Sequence, residues 1–182
     1  MPLRLAPLVF LLALLSPMAA AAERFALDPV HTRVMVAVDH AGYSKAIGTA
    51  SGSTGVLAFD PTDWRQARLE ARVPLQRLDF GDTAWNRAVA AANLLDATRT
   101  PEAHFISTRV EPVAGDEAIV HGQLTLRGVT RPLALQVRMN ALKRHPMPPF
   151  RRTAGFSATA ILSRADFGID AWPSMIGDTV EL

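Results

Sequence analysis

From Phe25 onward, apolar and polar residues alternate along the chain with a period of two. Residues 122–135, GQLTLRGVTRPLAL, show this pattern on both sides of a turn that we predict at residues 127–131. Such alternation is typical of β-strands that have one buried and one solvated face. The chain is therefore predicted to consist mainly of antiparallel strands, each with an apolar and a polar side.

The predicted strands define a set of inward-facing residues. Its members are Val34, Val36, Val38 and His40; Leu69, Ala71, Val73 and Leu75; Leu124 and Leu126; Leu133, Leu135, Val137 and Met139; and Phe156, Ala158, Ala160 and Leu162. About eight strands with a single apolar face can bury that face and protect their edges by closing into a barrel. A two-sheet sandwich is the alternative that the pattern leaves open.

A single helix is predicted, at residues 84–95, where the chain is rich in alanine and Asp82 or Thr83 is placed to cap the first turn. One helix cannot cover a large sheet. The fold class predicted from the pattern is therefore all-β, an antiparallel β-barrel of about eight strands with one α-helix.

The first 22 residues have the features of a secretory signal peptide. Residues 1–4 include a positive charge, residues 5–15 are apolar, and residues 19–22 are alanines that suit a cleavage site. The apolar run is too short to span a membrane. We expect cleavage near Ala22 and a mature domain, residues 23–182, that is periplasmic or secreted.

Composition narrows the classes of function. At 182 residues, with 49% hydrophobic and 20% charged residues, the chain suits one globular domain. Its 19 Lys and Arg nearly balance 17 Asp and Glu, so the net charge of +2 is too small to favour nucleic-acid binding. Because it has no cysteine, the chain can form neither a disulfide nor a thiolate metal site.

The residues that could carry chemistry are few. His40 shares the inward-facing parity. Its ring is therefore expected either to hydrogen-bond a ligand headgroup or to lie buried in the core with its hydrogen bonds made to the protein. The other histidines are His31, His104, His121 and His145. They lack metal-ligand spacing, and Ser53 lacks the glycine pattern of a hydrolase nucleophile. Arg164 and Asp166 are interpreted as a clasp at a strand end, so we expect no enzyme activity, metal or cofactor.

Residues 143–152, KRHPMPPFRR, form the most basic segment of the chain. Three prolines favour a stiff loop between two strands. Its permanent positive charges are Lys143, Arg144, Arg151 and Arg152. On the rim of the barrel mouth they would suit a diphosphate headgroup or a transient contact with an anionic membrane surface. A solvated loop at a closed end is the alternative, because the sequence does not assign the loop to an end.

Several motifs, in order and at matching spacings, resemble the YceI-like family from about Phe25 to Leu182. They are His31-Thr32 followed by Val34, Val36, Val38 and His40; Gly122-x-Leu124-Thr125-Leu126-x-Gly128-Val129-Thr130; Gly155-Phe156; and Arg164-x-Asp166-Phe167-Gly168-Ile169. The resemblance implies a lipocalin-like barrel, usually periplasmic, whose long cavity holds an amphipathic lipid such as a polyisoprenoid or a quinone-like molecule.

Taken with the inward parity, the resemblance implies a wall of ligand-binding residues. They are Val34, Val36, Val38, His40, Leu124, Leu126, Phe156, Ala158 and Ala160. Alternation alone does not separate a ligand tunnel from a packed core, but the resemblance favours the tunnel. The leading hypothesis is extracytoplasmic binding, transport or storage of a long-chain lipid. The alternative is a non-catalytic interaction or stress-response module with a filled barrel.

The chain departs from the family pattern in two places. Residues 85–88, WNRA, replace an Arg-Asp pair followed by His-Leu, so no headgroup contact is carried over there. The final strand, which we predict from Thr179, is short at residue 182. A short or open barrel seam is therefore expected.

Overall fold

The computed structural model describes residues 22–182, so the predicted signal peptide, apart from Ala22, lies outside the described residues. In this range the strands are β1 (Glu23–Ala26), β2 (Val34–His40), β3 (Ser44–Ala50), β4 (Thr54–Phe59), β5 (Arg68–Pro74), β6 (Leu78–Asp79), β7 (Glu102–Pro112), β8 (Glu117–Leu126), β9 (Val129–Arg144), β10 (Arg152–Thr159), β11 (Ile161–Ser163) and β12 (Ile176–Glu181). The α-helix is α1 (Thr83–Ala90), and short 3₁₀ turns lie at Trp64–Gln66, Leu75–Arg77 and Ala165–Phe167.

The strands form two antiparallel sheets that together make a nearly closed barrel. The seven-stranded sheet has the order β1-β4-β5-β7-β8-β9-β10, and the five-stranded sheet has the order β11-β12-β2-β3-β6. Strand β3 continues into β4, and β10 continues into β11, so two strands cross from one sheet to the other. Within residues 22–182, counting each continued strand once reduces the twelve strands to ten, of which β6 has only two residues. The predicted all-β barrel with one helix is confirmed.

The turn between β8 and β9 is tighter than predicted. It consists of Arg127 and Gly128 alone, with φ angles of 51° and 77°. Two consecutive positive φ angles are typical of a two-residue type I′ hairpin, whose twist matches that of the flanking strands. Strand β9 therefore begins at Val129, and the prediction of a turn over residues 127–131 was wrong in its length.

Helix α1 is shorter than the predicted span of residues 84–95. Asp82 caps it, because its side chain accepts hydrogen bonds from the backbone N–H groups of Ala84 and Trp85. The helix stops at Ala90, and Ala91 is extended. The chain then turns back so that Leu94 and Ala97 are buried in the core, with 7% and 1% of their surfaces exposed. This burial overrides the helical preference of the alanines.

The last strand is longer than predicted. Strand β12 begins at Ile176, not at Thr179, and it pairs with β11 on one side and with β2 on the other. The barrel therefore does not open at this strand, so the expectation of an open seam was wrong. The ladder between β12 and β2 is nevertheless interrupted by an irregularity between Ile176 and Val180. In the described part of the chain, no helix combines the length and the apolar character that a membrane span requires.

Candidate ligand-binding interior

The strand directions assign the turns and loops that link antiparallel neighbours to two barrel ends. The hairpin end holds residues 60–67, 113–116 and 145–151. The helix end holds residues 41–43, 75–101, 127–128 and 164–175. At the helix end, the guanidinium of Arg127 donates to the carbonyl oxygens of Ala92 and Gly168 and so ties three of these connections together.

The five-stranded sheet presents a smooth apolar wall to the interior. On β2, Val34, Val36 and Val38 are half-buried. Their partners across the ladder on β3 are Ala50, Gly48 and Ala46. All three partners are buried and small, so this wall has little side-chain volume. The structure thus brings together the three predicted wall valines of β2.

The predicted wall residues of the other strands are more tightly packed. Leu124, Leu126 and Ala160 are buried members of the hydrophobic core. Ala158 is instead exposed and lies on an open pocket of about 380 Å³ that is lined from β8, β9 and β10. It is the last but one residue of β10, where the chain bends away toward the other sheet. The expectation that Ala158 is enclosed by the barrel was therefore wrong.

Aromatic rings fill the interior near the hairpin end. The ring centroid of Phe59 lies 5.2 Å from that of Trp64 and 5.4 Å from that of Phe156, both edge-on. This geometry is favoured for aromatic pairs. On the outer side of this cluster, Arg152 Nη1 lies 2.6 Å from Glu23 Oε2. Because β10 and β1 are the two edges of the seven-stranded sheet, this ion pair draws those edges together.

A second aromatic group lies at the helix end and includes the last predicted wall residue of β2. The ring centroids of His40 and Trp85 are 5.3 Å apart, and those of Trp85 and Phe80 are 6.4 Å apart. Phe80 lies over Gly48, because a Cβ atom at Gly48 would be 2.9 Å from the ring. A glycine within a strand is a known signal of such an approach. Neither Phe80 nor Trp85 was identified as a site residue from the sequence.

Hydrogen bonds from the preceding loop fix the position of α1. The Asn86 side chain donates from Nδ2 to Asp79 Oδ1 at 2.8 Å and accepts from the backbone N–H of Phe80 at 2.8 Å. The hydrogen bond from Asn86 and a second one from the backbone of Gly81 lower the pKa of Asp79 below its usual range. The carboxylate is therefore ionised near neutral pH and holds the segment that carries Trp85.

The two predicted headgroup sites lie at opposite ends of the barrel. His40 ends β2 at the helix end, whereas the basic segment forms the β9–β10 hairpin at the hairpin end. All four cations of the segment are exposed; they are Lys143 and Arg144 on β9, Arg151 in the connection and Arg152 on β10. One lipid headgroup cannot contact both sites.

Arg164 is a clasp at a strand end, but Asp166 is not its partner. The guanidinium is buried, with 6% of the residue exposed. It donates to backbone carbonyl oxygens at distances between 2.7 and 3.0 Å; the acceptors are Ile169, Ala171, Ile176 and Gly177. Asp166 is exposed. The residue therefore holds together the connection that leads from β11 to β12.

Comparisons with known proteins agree with this architecture. Residues 25–182 match the model of the YceI-like domain. A UPF0312 protein of Pseudomonas savastanoi is 31% identical over 180 residues, which cover 98% of this chain and 92% of the relative. The structure of BcnA from Burkholderia cenocepacia superposes with a TM-score of 0.73 at 22% identity and covers 82% of this chain and 91% of that chain.

A second similar structure is described by its ligand class. It is a polyisoprenoid binding domain from Saccharophagus degradans implicated in plant cell wall breakdown. Its TM-score is 0.62 at 13% identity, and the match covers 88% of this chain and 94% of that chain. At such identities the likeness shows a shared fold.

Proposed function

Because the chain belongs to the YceI-like family, we propose that it binds a long-chain isoprenoid or similar amphipathic lipid inside its barrel, after export from the cytoplasm. The lipid is held without covalent chemistry. Transport or storage of that lipid is the role that such binding serves. The polyisoprenoid-binding description of the Saccharophagus degradans domain supports the ligand class.

The half-buried valine wall of β2 is the observation that carries this proposal. Phe80 covers Gly48, but Val34, Val36 and Val38 themselves stay half-buried beside small partners on β3, so they keep apolar surface that the protein's own side chains do not cover. Strand β2 spans about 20 Å from Val34 to His40. Each CH₂ group buried against such a wall contributes about 0.8 kcal/mol. A long hydrocarbon chain therefore binds here with few polar contacts.

The polar end of the lipid is assigned to the helix end. His40 is half-buried there beside Trp85, and its ring offers a hydrogen bond to a headgroup. Trp85 is 43% exposed and can cover the headgroup from above. At the other end, the rings of Phe59, Trp64 and Phe156 limit how far the hydrocarbon tail extends.

Replacing Val36 with tryptophan is the most direct test. The large ring takes up space beside Gly48, so we expect loss of lipid uptake with less than about 1 kcal/mol of lost stability. Met35→Trp is the matched control, because Met35 is the adjacent residue on the outward face and is 54% exposed. Native mass spectrometry after incubation with a polyprenol measures the bound lipid, and urea unfolding measures stability.

A large loss of stability in Val36→Trp would point to a packed interior. If the interior is packed, Val36→Trp costs about 1 to 3 kcal/mol through overpacking, and the unmodified protein stays free of lipid under every condition. That outcome contradicts lipid binding and supports the alternative, an interaction module with a filled barrel. Should Val36→Trp fail to fold, the empty or loaded state of the unmodified protein still decides the question.

A second substitution tests the position of the headgroup. His40→Ala should weaken binding of a polyprenol by about 0.5 to 1.5 kcal/mol, since one neutral hydrogen bond is lost. Binding of a plain hydrocarbon of equal length should change less. Competition between the two ligands, read by native mass spectrometry, measures the difference. Equal losses would mean that His40 contributes only to the wall.

A further inference from the structure

Positive charge is distributed unevenly along the chain. Residues 118–165, which include β9 and β10, hold eight of the 19 Lys and Arg residues and no Asp or Glu. The whole chain has a net charge of only +2. Arg164 is buried and Arg127 lies at the helix end. Lys143, Arg144, Arg151 and Arg152 lie together on the β9–β10 hairpin and give it a positive surface potential that the net charge conceals.

Part of this charge is carried by a hairpin that projects from the barrel. Strand β9 is 16 residues long, and its pairing with β8 runs from Val129 only as far as Arg138. Beyond residue 140, β9 pairs with β10 alone. The hairpin therefore extends roughly 15 Å past β8. Within residues 22–182, Arg152 is the one of its four cations that pairs with a carboxylate, so Lys143, Arg144 and Arg151 are available to a partner.

The tip of the hairpin is apolar and exposed. Met147 is 65% exposed and Phe150 is 51% exposed. A hydrogen bond from the backbone N–H of Phe150 to the carbonyl of Met147, at 2.9 Å, holds the two residues in one tight turn. Phe150 has a φ of 55°, a conformation that residues other than glycine rarely adopt. The turn therefore presents two apolar side chains to solvent beside the cations of the hairpin.

We propose that the β9–β10 hairpin docks on the surface of an anionic phospholipid bilayer, with Met147 and Phe150 entering the interface and Lys143, Arg144 and Arg151 contacting lipid phosphates. A basic, apolar-tipped segment suits this surface on two counts. Cations near an anionic membrane are attracted by its potential, and apolar side chains between them are buried at the boundary of headgroups and acyl chains. This docking is independent of the lipid inside the barrel.

Sedimentation with vesicles tests the docking directly. The processed protein should partition to vesicles of equal parts phosphatidylglycerol and phosphatidylcholine, and not to phosphatidylcholine alone. High salt should weaken the partition. Each cation is expected to strengthen the partition about fivefold. The partition should therefore weaken roughly a hundredfold in the triple variant Lys143→Gln, Arg144→Gln and Arg151→Gln. Changing Met147 and Phe150 to serine should weaken it by about tenfold.

A charge-matched variant separates the hairpin from the general charge of the protein. Arg33 lies in the β1–β2 connection, and Arg77 and Arg87 lie at the helix end, so all three are outside the hairpin. Their change to glutamine removes the same number of charges. This variant should keep the vesicle partition within about twofold. If it loses as much as the hairpin variant, the proposal is overturned. If both variants partition as the unmodified protein does, another surface binds the vesicles and the proposal is also overturned.

Fluorescent labels report which end contacts the membrane. The chain has no cysteine, so Met147→Cys accepts an environment-sensitive dye at a single position. Tyr43→Cys is the control, because Tyr43 is 92% exposed in the β2–β3 turn at the helix end. Phosphatidylglycerol vesicles should shift the emission of the dye to the blue at residue 147 and leave it unchanged at residue 43. Equal shifts, or none, overturn the proposed orientation.

Discussion

We expect Arg164→Met to lower the free energy of unfolding by about 3 to 4 kcal/mol. Methionine fills a similar length but donates no hydrogen bond, so the carbonyls of residues 169, 171, 176 and 177 lose their donor. An unsatisfied buried carbonyl costs about 1 to 3 kcal/mol, although some of these oxygens can turn to water. Thermal unfolding should show a decrease in Tm of roughly 10 °C.

Two further variants make this expectation specific to the clasp. Arg131→Met is the matched control, because Arg131 is exposed and its guanidinium bonds only to the carbonyl of the adjacent Thr130 within the described residues. It should change stability by less than about 0.5 kcal/mol. The free energy of unfolding of Arg164→Lys should lie between those of the two methionine variants, since an ammonium keeps the charge but lacks the planar set of donors of a guanidinium. Equal stabilities of Arg164→Met and Arg131→Met would show that the clasp contributes nothing.

Gly122→Ala should cost about 2 to 3 kcal/mol through a clash in the core. A Cβ atom at residue 122 would lie 2.3 Å from the ring of Phe105 and 2.5 Å from the carbonyl oxygen of Ile106. The ring is buried and the oxygen belongs to the backbone of the adjacent β7, so neither can move without disturbing the ladder. Urea unfolding with a fixed m-value measures the loss.

Gly155→Ala supplies the comparison on another strand. The nearest atom to a Cβ at residue 155, beyond its chain neighbours, is the carbonyl oxygen of Ala141 at 3.9 Å. Alanine fits there and restricts the unfolded chain, so stability should be unchanged or rise by up to about 1 kcal/mol. A similar loss in both variants would attribute the effect to glycine in strands generally, rather than to the Phe105 contact.

The alternating pattern was sufficient to predict the strands and one apolar wall, whereas the choice of a barrel over a sandwich also rested on the family resemblance. Each inward valine of β2 was assigned by parity, and parity follows directly from the pleat of a strand. The cap of α1 at Asp82 was also visible, because its chemistry is local. The lengths of α1 and of the β8–β9 turn could not be predicted from the sequence. The length of α1 depends on the burial of Leu94 and Ala97, and the length of the turn depends on the backbone conformations of Arg127 and Gly128.

The site required information that no single stretch of sequence contains. Trp85 meets His40 because the segment that follows β5 returns across the end of β2, and only the topology brings the two together. A glycine within a strand, such as Gly48, predicts that another group packs closely against it, but it does not identify that group as Phe80. In the same way, the sequence assigned a headgroup contact to His40 and another to the basic hairpin without relating their positions, and the strand directions place them at opposite ends.

The position of β12 has a consequence for how the chain folds. Its ladder joins residue 180 to residue 38, so the strand that completes the ring pairs with one formed near the other end of the chain. Closing so long a loop is entropically costly before any contact offsets it, and non-local pairing of this kind is associated with slow folding. Until β12 arrives, both β2 and β11 expose an unpaired edge. The unfinished barrel is therefore the species in which this chain is most exposed to aggregation.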